Sequence, residues 1–469
     1  MEIQFTAWDY TSEDSFERSS YVFKGSTNSG WEIFRNGAPH LQLGKGYKLL
    51  KTTACGICST DIDRRFLPFP LPQIIGHELI AKDLESNENF AVEINDTHVA
   101  RGDGLTDPFC DTGIPTHSPE RKVLGIDRLP GGFGPYILAP EHGMYSVKDL
   151  PLKVAVLLEP FAAALQAVTS SPPQNGDEVA VLGPRRLGSL VLAALRAYRK
   201  FSQKQFKIYS IVRHDHLVSL SKEIGADDAI DLRKYANPEV ELANRFDIVY
   251  DTTGSATAFP MALEFAKREV HLKTTNGQEM GGLKHLTALV VDELSLLPFS
   301  EENLKFHWEN WKYSNKEIYV SPSAKINIPS SYNSYSDSIP KEISLLESSN
   351  WKGVLPRFDA CVVSSLEEID TCIRPIDGSE ASLVRPRGAI LYSGKETEPV
   401  AKFLQKGKSI RSSRCGDFEL AIRILKENPD VMESLEKHMI SHQFLEKDLP
   451  IAYSQAKDSN SVKVMVTHD

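Results

Sequence analysis

The chain has 469 residues, 41% of them hydrophobic and 25% charged, with a formal net charge of -10 at pH 7. This length exceeds what one hydrophobic core serves and predicts two or three compact units. The acidic balance excludes sequence-independent binding to nucleic acid, which needs a basic face to displace phosphate counterions, and no stretch approaches the ~20 apolar residues of a membrane span.

The N-terminal MEIQFTAWDYTSEDSFERSS has no apolar core behind basic residues, so no secretory leader is expected and a cytoplasmic location follows. From about residue 30 to 150, short β-type segments are broken by Gly and Pro: GKGYKLLKTTACG, HELIAKD, NFAVEIN, GGFGPYILAP. They predict an irregular β-rich domain. From Pro173 the texture changes to GDEVAVLG, an Ala/Leu-rich helix LGSLVLAALRAYRK, FKIYSIV, a helix through LVSLSKEIGA, DDAIDL and FDIVYDTTG. This alternation predicts a parallel, doubly wound α/β sheet.

A later passage, FDACVVSSLEEIDTCIRPIDGSEASLVRPRGAILYSG, echoes the strand, helix, strand order that begins at FDIVYDTTGS. Between the two echoes, residues 298–356 are rich in Ser, Asn, Tyr and Lys and read as an inserted loop or excursion. From about Ser409 come a helix ELAIRILKEN, a second helical run and an apolar strand SVKVMVTH that should return to a sheet. The expected division is 1–160, then 161–408 with the insertion, then 409–469 rejoining the first domain.

The main chemical signal is Cys58 in CGICSTD, His77 and Glu78 in IIGHELI, and Glu159 in LLEPFAAAL. Thiolate, imidazole and carboxylate are the ligand types of a catalytic zinc that keeps one coordination position open for water or substrate. A lone cysteine is more often a small buried hydrophobe; the order of these motif contexts is what argues for a metal. The six cysteines, at 55, 58, 110, 361, 372 and 415, are too sparse for a disulfide scaffold.

Where VAVLG opens a helix, Gly183 and Gly188 supply two glycines of a dinucleotide fingerprint, with Arg185, Arg186 and Leu187 between them. A Cβ at Arg185 crowds the usual pyrophosphate approach, although either guanidinium suits a phosphate. At the end of FKIYSIVRHD the ribose-binding acid is replaced by Val212 and Arg213, and Arg213 suits a 2′-phosphate; NADP is favoured over NAD.

The passages CGICSTDID, IIGHELIAKD, GGFGPYILAPE, LLEPFAAALQAV, VAVLGPRRLGSLVLA, KEIGADDAID, FDIVYDTTGS and RSSRCGDFELAI, in this order, resemble the zinc-containing medium-chain dehydrogenases, nearest the sorbitol, threonine and glucose dehydrogenase branches. The resemblance covers about residues 45–295 and 409–469. It implies an α/β protein with a GroES-like catalytic domain at both chain ends around a Rossmann domain, a hydride transfer between a nicotinamide cofactor and a small hydroxylated substrate, and a homo-oligomer (dimer or tetramer).

On this pattern Cys58 and His77 resemble the zinc ligands, Glu78 the acid beside the metal, and Glu159 the fourth ligand or the partner of zinc-bound water. Thr60 stands where the substrate proton is taken, and Asp61 where a carboxylate orients the zinc histidine. Asp63 replaces the histidine that commonly passes the proton onward. Thr252 and Thr253 resemble a turn beside the nicotinamide ribose, and Arg414 a late cofactor contact. Arg64, Phe66 and the Cys110 region are candidates for the substrate pocket. Only Cys110 falls between residues 79 and 150, so one catalytic zinc and no structural zinc are expected. Weakened cofactor binding in a non-catalytic ligand-binding or assembly subunit is the alternative, and lyase or epimerase chemistry through transient oxidation a third.

Overall fold

The computed structural model describes residues 1–274, 277–309, 317–336, 358–375 and 382–469. They form two compact units, one of Met1–Ala162 with Gly416–Asp469 and the other of Ala163–Cys415. No helix among the described residues is long and apolar enough to cross a membrane.

The first unit opens with strands β1 (Glu2–Tyr10), β2 (Phe16–Ser26), β3 (Gly30–Arg35) and β4 (Ala38–Leu43), an antiparallel sheet in sequence order. Alternation turns Phe5 and Ala7, Tyr21 and Phe23, and Trp31 and Ile33 into the core. Next come β5 (Tyr47–Gly56), β6 (Glu78–Asp83), β7 (Asn89–Val92), β8 (Asn95–Asp96), β9 (Lys122–Val123), β10 (Tyr136–Pro140) and β11 (Met144–Ser146). β5 and β6 are antiparallel neighbours, with Gly56 facing Glu78. The chain leaving β5 and the chain entering β6 therefore lie at the same sheet end, which brings Cys58 and His77 together across 18 intervening residues.

The second unit carries an eleven-stranded sheet. Its strands are β12 (Glu178–Leu182), β13 (Lys207–Val212), β14 (Asp228–Asp231), β15 (Phe246–Asp251), β16 (Ala266–Leu272), β17 (Ser295–Pro298), β18 (Glu317–Val320), β19 (Asn333–Tyr335), β20 (Phe358–Val363), β21 (Val384–Tyr392) and β22 (Ser409–Ser412). The order is β14-β13-β12-β15-β16-β22-β17-β21-β20-β18-β19. Every neighbouring pair is parallel except β17 against β22. Such strands are buried on both faces and read as continuous apolar runs: Cys361 and Val363 enter one core cluster while Ala360 and Val362 enter another.

The described part of 298–356 departs from the expected loop. It holds the helix Glu301–Glu309 and strands β18 and β19 of the main sheet, because EIYV buries Ile318 and Val320 against β20. Residues 310–316 and 337–356 lie outside the described residues. The return to the first unit starts at Gly416, not at 409, since Ser409–Ser412 is β22 of the second unit's sheet. After it, β23 (Ile440–Leu445) and β24 (Lys463–Thr467) complete the β5 sheet in the order β11-β7-β6-β5-β24-β23, with β10 on β5.

Candidate functional site

In the first unit, Cys58, His77 and Glu78 each present a ligand atom within 4.8 Å of the others, the one such group of three His, Cys, Asp or Glu found among the described residues. His77 and Glu78 are buried, at 3% and 0% exposure, and Cys58 is half-buried. Cys58 ends the extended chain from β5 and caps the short helix Ser59–Ile62. Asp61 sits on that helix at 1% exposure, with Oδ2 accepting the Cys58 N–H at 2.8 Å and Oδ1 lying 3.2 Å from His77 Nδ1. An anion on Nδ1 fixes the ring and leaves Nε2 as the ligating nitrogen.

Burial opposes protonation of His77, yet the Asp61 carboxylate and the Cys58 thiol raise its imidazole well above the ordinary value. Glu78 Oε1 is buried without a hydrogen-bond partner, and a Cβ at Gly56 would come within 2.5 Å of Glu78 Oε2. The donor set and this unpartnered oxygen fit a zinc ion.

Glu159 opens the helix Leu158–Ser170 and lies outside the three-residue group. Burial pushes its carboxyl up to about 7, the His77 charge opposes, and Glu78 and Glu93 add to the rise. Thr60 Oγ1 is 3.7 Å from Cys58 Sγ. Asp63 is exposed at the C-cap of helix Ser59–Ile62. Arg64 is no pocket residue: it is fully buried, and its guanidinium donates to Phe69 O, Pro70 O and Gln73 Oε1 at 2.9–3.3 Å. Phe66 is 71% exposed, and Cys110 lies in the helix Pro108–Asp111.

Sequence reasoning missed Lys463. Its ammonium forms a buried ion pair with Glu78 Oε2 and donates to Ile57 O at 3.3 Å. β24 runs antiparallel to β5 with Met465 facing Gly56, so Lys463 reaches the sheet end that carries Cys58. The available signal was a cation inside the apolar run VKVMV, which two-sided burial tolerates only with a partner.

In the second unit, β12 ends in a turn at Gly183, φ +81°, where glycine is favoured. The Thr252 hydroxyl holds this turn by donating to Leu182 O and Gly183 O at 3.0 and 2.9 Å. Thr253 donates instead to Asp251 through N–H and hydroxyl. Helix Arg186–Ser202 follows with no acid in its first turn and no side-chain cap at Arg185. Arg185 and Arg186 thus stand at a helix N-terminus, where the partial positive charge of the helix favours an anion. Leu187 is half-buried, and Gly188 packs where a Cβ would meet Gly183 O at 2.5 Å. This uncapped, doubly basic terminus fits a pyrophosphate.

Arg213 is exposed just past β13 and donates to Met261 Sδ at 3.3 Å. The Arg414 backbone is held at both ends, its N–H by Glu293 Oε1 at 2.8 Å and its carbonyl by Lys273 Nζ at 2.8 Å. Lys273 also escaped sequence reasoning, since nothing local marks it as the residue that ties the end of β16 to the chain after β22.

Residues 44–149 match the alcohol dehydrogenase GroES-like domain. The chain is 26% identical to (R,R)-butanediol dehydrogenase of Bacillus subtilis over 52% of its own length and 74% of the relative's. It is also 26% identical to D-arabinitol dehydrogenase 1 of Uromyces fabae over 47% and 65%. The solved structure of L-idonate 5-dehydrogenase from Escherichia coli aligns with 100% of this chain and 99% of its own, with a TM-score of 0.56 at 15% identity, a likeness of fold. The matched segment is thus a GroES-like domain of the alcohol dehydrogenase type, and the chain as a whole shares its fold with solved dehydrogenase structures.

Proposed function

We propose that the protein is a zinc-dependent oxidoreductase that transfers a hydride between a nicotinamide cofactor and a secondary alcohol of a polyol, sugar or amino-alcohol metabolite. The observation that carries this reading is the buried meeting of Cys58, His77 and Glu78. Cys58 and His77 would hold the metal with Glu159 or Glu78 completing the set, and the ion supplies Lewis acidity toward an alcohol oxygen.

The chain's own residues perform the rest. Asp61 sets the His77 ring, and the Lys463 charge holds the Glu78 carboxylate. The Thr60 hydroxyl, beside Cys58, takes the substrate proton; with Asp63 exposed where the family relay continues, that proton passes to solvent. Glu159, whose carboxyl is pushed up by burial, is suited to exchange a proton with a water. Gly183, Arg185, Arg186, Leu187 and Gly188 would receive the cofactor, with Thr252, Thr253 and Arg414 alongside. Arg213 favours NADP over NAD, because a guanidinium past β13 pairs with a 2′-phosphate.

The test is a dinucleotide-coupled absorbance change over a panel of polyols and sugars, repeated with Cys58→Ser and His77→Ala. Activity is expected in the parent protein and lost in both variants. Turnover unchanged in both would remove the metal site from the mechanism.

A further inference from the structure

The second unit contains one arrangement twice. β15 begins Phe246-Asp247 and β20 begins Phe358-Asp359, and both phenylalanines are fully buried. Each strand pairs in parallel with the strand that follows it, β16 or β21. The register slips at the same place in both pairs, between Phe246 and Ile248 and between Phe358 and Ala360. The connecting helices, Ala258–Phe265 and Leu366–Ile373, have eight residues each. A slip at the same strand step of two sequence echoes, where two residues of β15 face three of β16 and two of β20 face five of β21, marks an internal repeat whose second copy carries the larger bulge.

The next strands are exchanged between the repeats. The chain leaving β16 passes helix Leu286–Val291 and forms β17 beside β21, whereas the chain leaving β21 passes helix Pro399–Gln405 and forms β22 beside β16. β17 and β22 then meet antiparallel at Leu296 and Ile410, both fully buried. Two similar halves that trade a terminal strand and meet edge to edge have the geometry of a strand-swapped two-fold pair. Here both halves lie on one polypeptide, and Leu263, Leu272, Leu296, Ile390 and Ile410 share one core.

The halves differ at the carboxyl ends of their strands, where open parallel sheets bind ligands. β12 leads through Gly183 into an uncapped helix, whereas β18 leads into residues 321–332 without a helix. There the hydroxyls of Ser321 and Ser323 and the N–H of Ser364 all donate to the Glu368 carboxylate, the last at 2.8 Å. Glu396 accepts the Leu366 N–H at 2.6 Å, and Ser365 caps the same helix. The donors that would receive a phosphate are consumed by the chain's own acids.

We propose that the half made of β17, β21, β20, β18 and β19 is a built-in counterpart: it closes the β22 edge of the nucleotide-type half and carries no dinucleotide site among its described residues. An unpaired β22 would be an edge open to other chains. With it closed, one chain binds one dinucleotide, and any homo-oligomer uses another surface.

Leu296→Cys and Ile410→Cys in one chain test this, with each single variant as control. The facing Cα atoms of an antiparallel pair, about 4.5–5.5 Å apart, are within disulfide range. Mild oxidation should give a crosslink at single-chain mass on a non-reducing gel, and fluorescence titration of the parent with NADPH should saturate at one equivalent per chain. A crosslink at twice the chain mass, no crosslink, or saturation at two equivalents would overturn the proposal. Absence of any dinucleotide binding would count against the cofactor reading above, while the crosslink still decides the built-in counterpart.

Discussion

Asp61 Oδ1 lies 3.2 Å from His77 Nδ1, and the same carboxylate accepts the Cys58 N–H through its other oxygen. One buried acid therefore fixes the imidazole and the backbone of the neighbouring thiol. Asp61→Asn should keep the fold and lower zinc affinity by about 10–100-fold, the usual cost of losing a carboxylate behind a metal-bound histidine. Competition with a chromophoric chelator measures it.

The Glu78–Lys463 pair is buried on both sides, at 0% and 4% side-chain exposure. In protein stripped of metal, Lys463→Met leaves an uncompensated carboxylate and should destabilise the first unit by about 3–5 kcal/mol. Adding Glu78→Gln should restore a large part of this. Urea unfolding of the single and double variants checks the coupling.

Asp251 gives a pH signature in the second unit. Burial raises its carboxyl from 3.8 to about 6 despite hydrogen bonds from Thr253, and Oδ2 is buried without a hydrogen-bond partner. The folded state thus binds the proton more tightly than the unfolded state. The stabilisation is complete below pH ~4 and lost as pH rises through about 6, up to about 3 kcal/mol by linkage. Asp251→Asn should flatten this part of the pH–stability curve, followed by denaturant midpoints between pH 4 and 7.

Gly188→Ala would push a methyl to 2.5 Å from Gly183 O and 2.6 Å from Thr252 Oγ1. Backbone cannot yield as a flexible side chain does, so a cost of about 1–3 kcal/mol and weakened dinucleotide binding are expected. Thermal unfolding and NADPH titration separate the two effects.

Arg213→Ala should weaken NADPH by roughly 10–100-fold, the worth of a charged hydrogen bond, and leave NADH within a few-fold. The ratio of the two dissociation constants is the readout.

Short-range features of the site were legible because the ligands lie in local motifs flanking two strands: CGICSTD follows β5 and GHE enters β6. Their antiparallel pairing then does the assembly. Lys463 was not legible, since it comes from a strand almost 400 residues away and acquires meaning only when β24 pairs with β5. The alternation from Glu178 to Asp251 read correctly as a parallel sheet, being periodic and long. β18 and β19 were missed because four- and three-residue strands in a Ser-, Asn- and Tyr-rich stretch carry no usable period. Arg64 shows the opposite failure, a charged residue near the motif whose guanidinium is spent on two carbonyls and Gln73.

The central claim is that Cys58 and His77 hold a zinc ion. Its most direct measurement is metal content after dialysis, by plasma mass spectrometry on the parent, Cys58→Ser and His77→Ala proteins, with folding confirmed by circular dichroism. The account predicts about one zinc per folded parent chain and loss of most of it in each variant. Folded variants that retain the parent's zinc would contradict it.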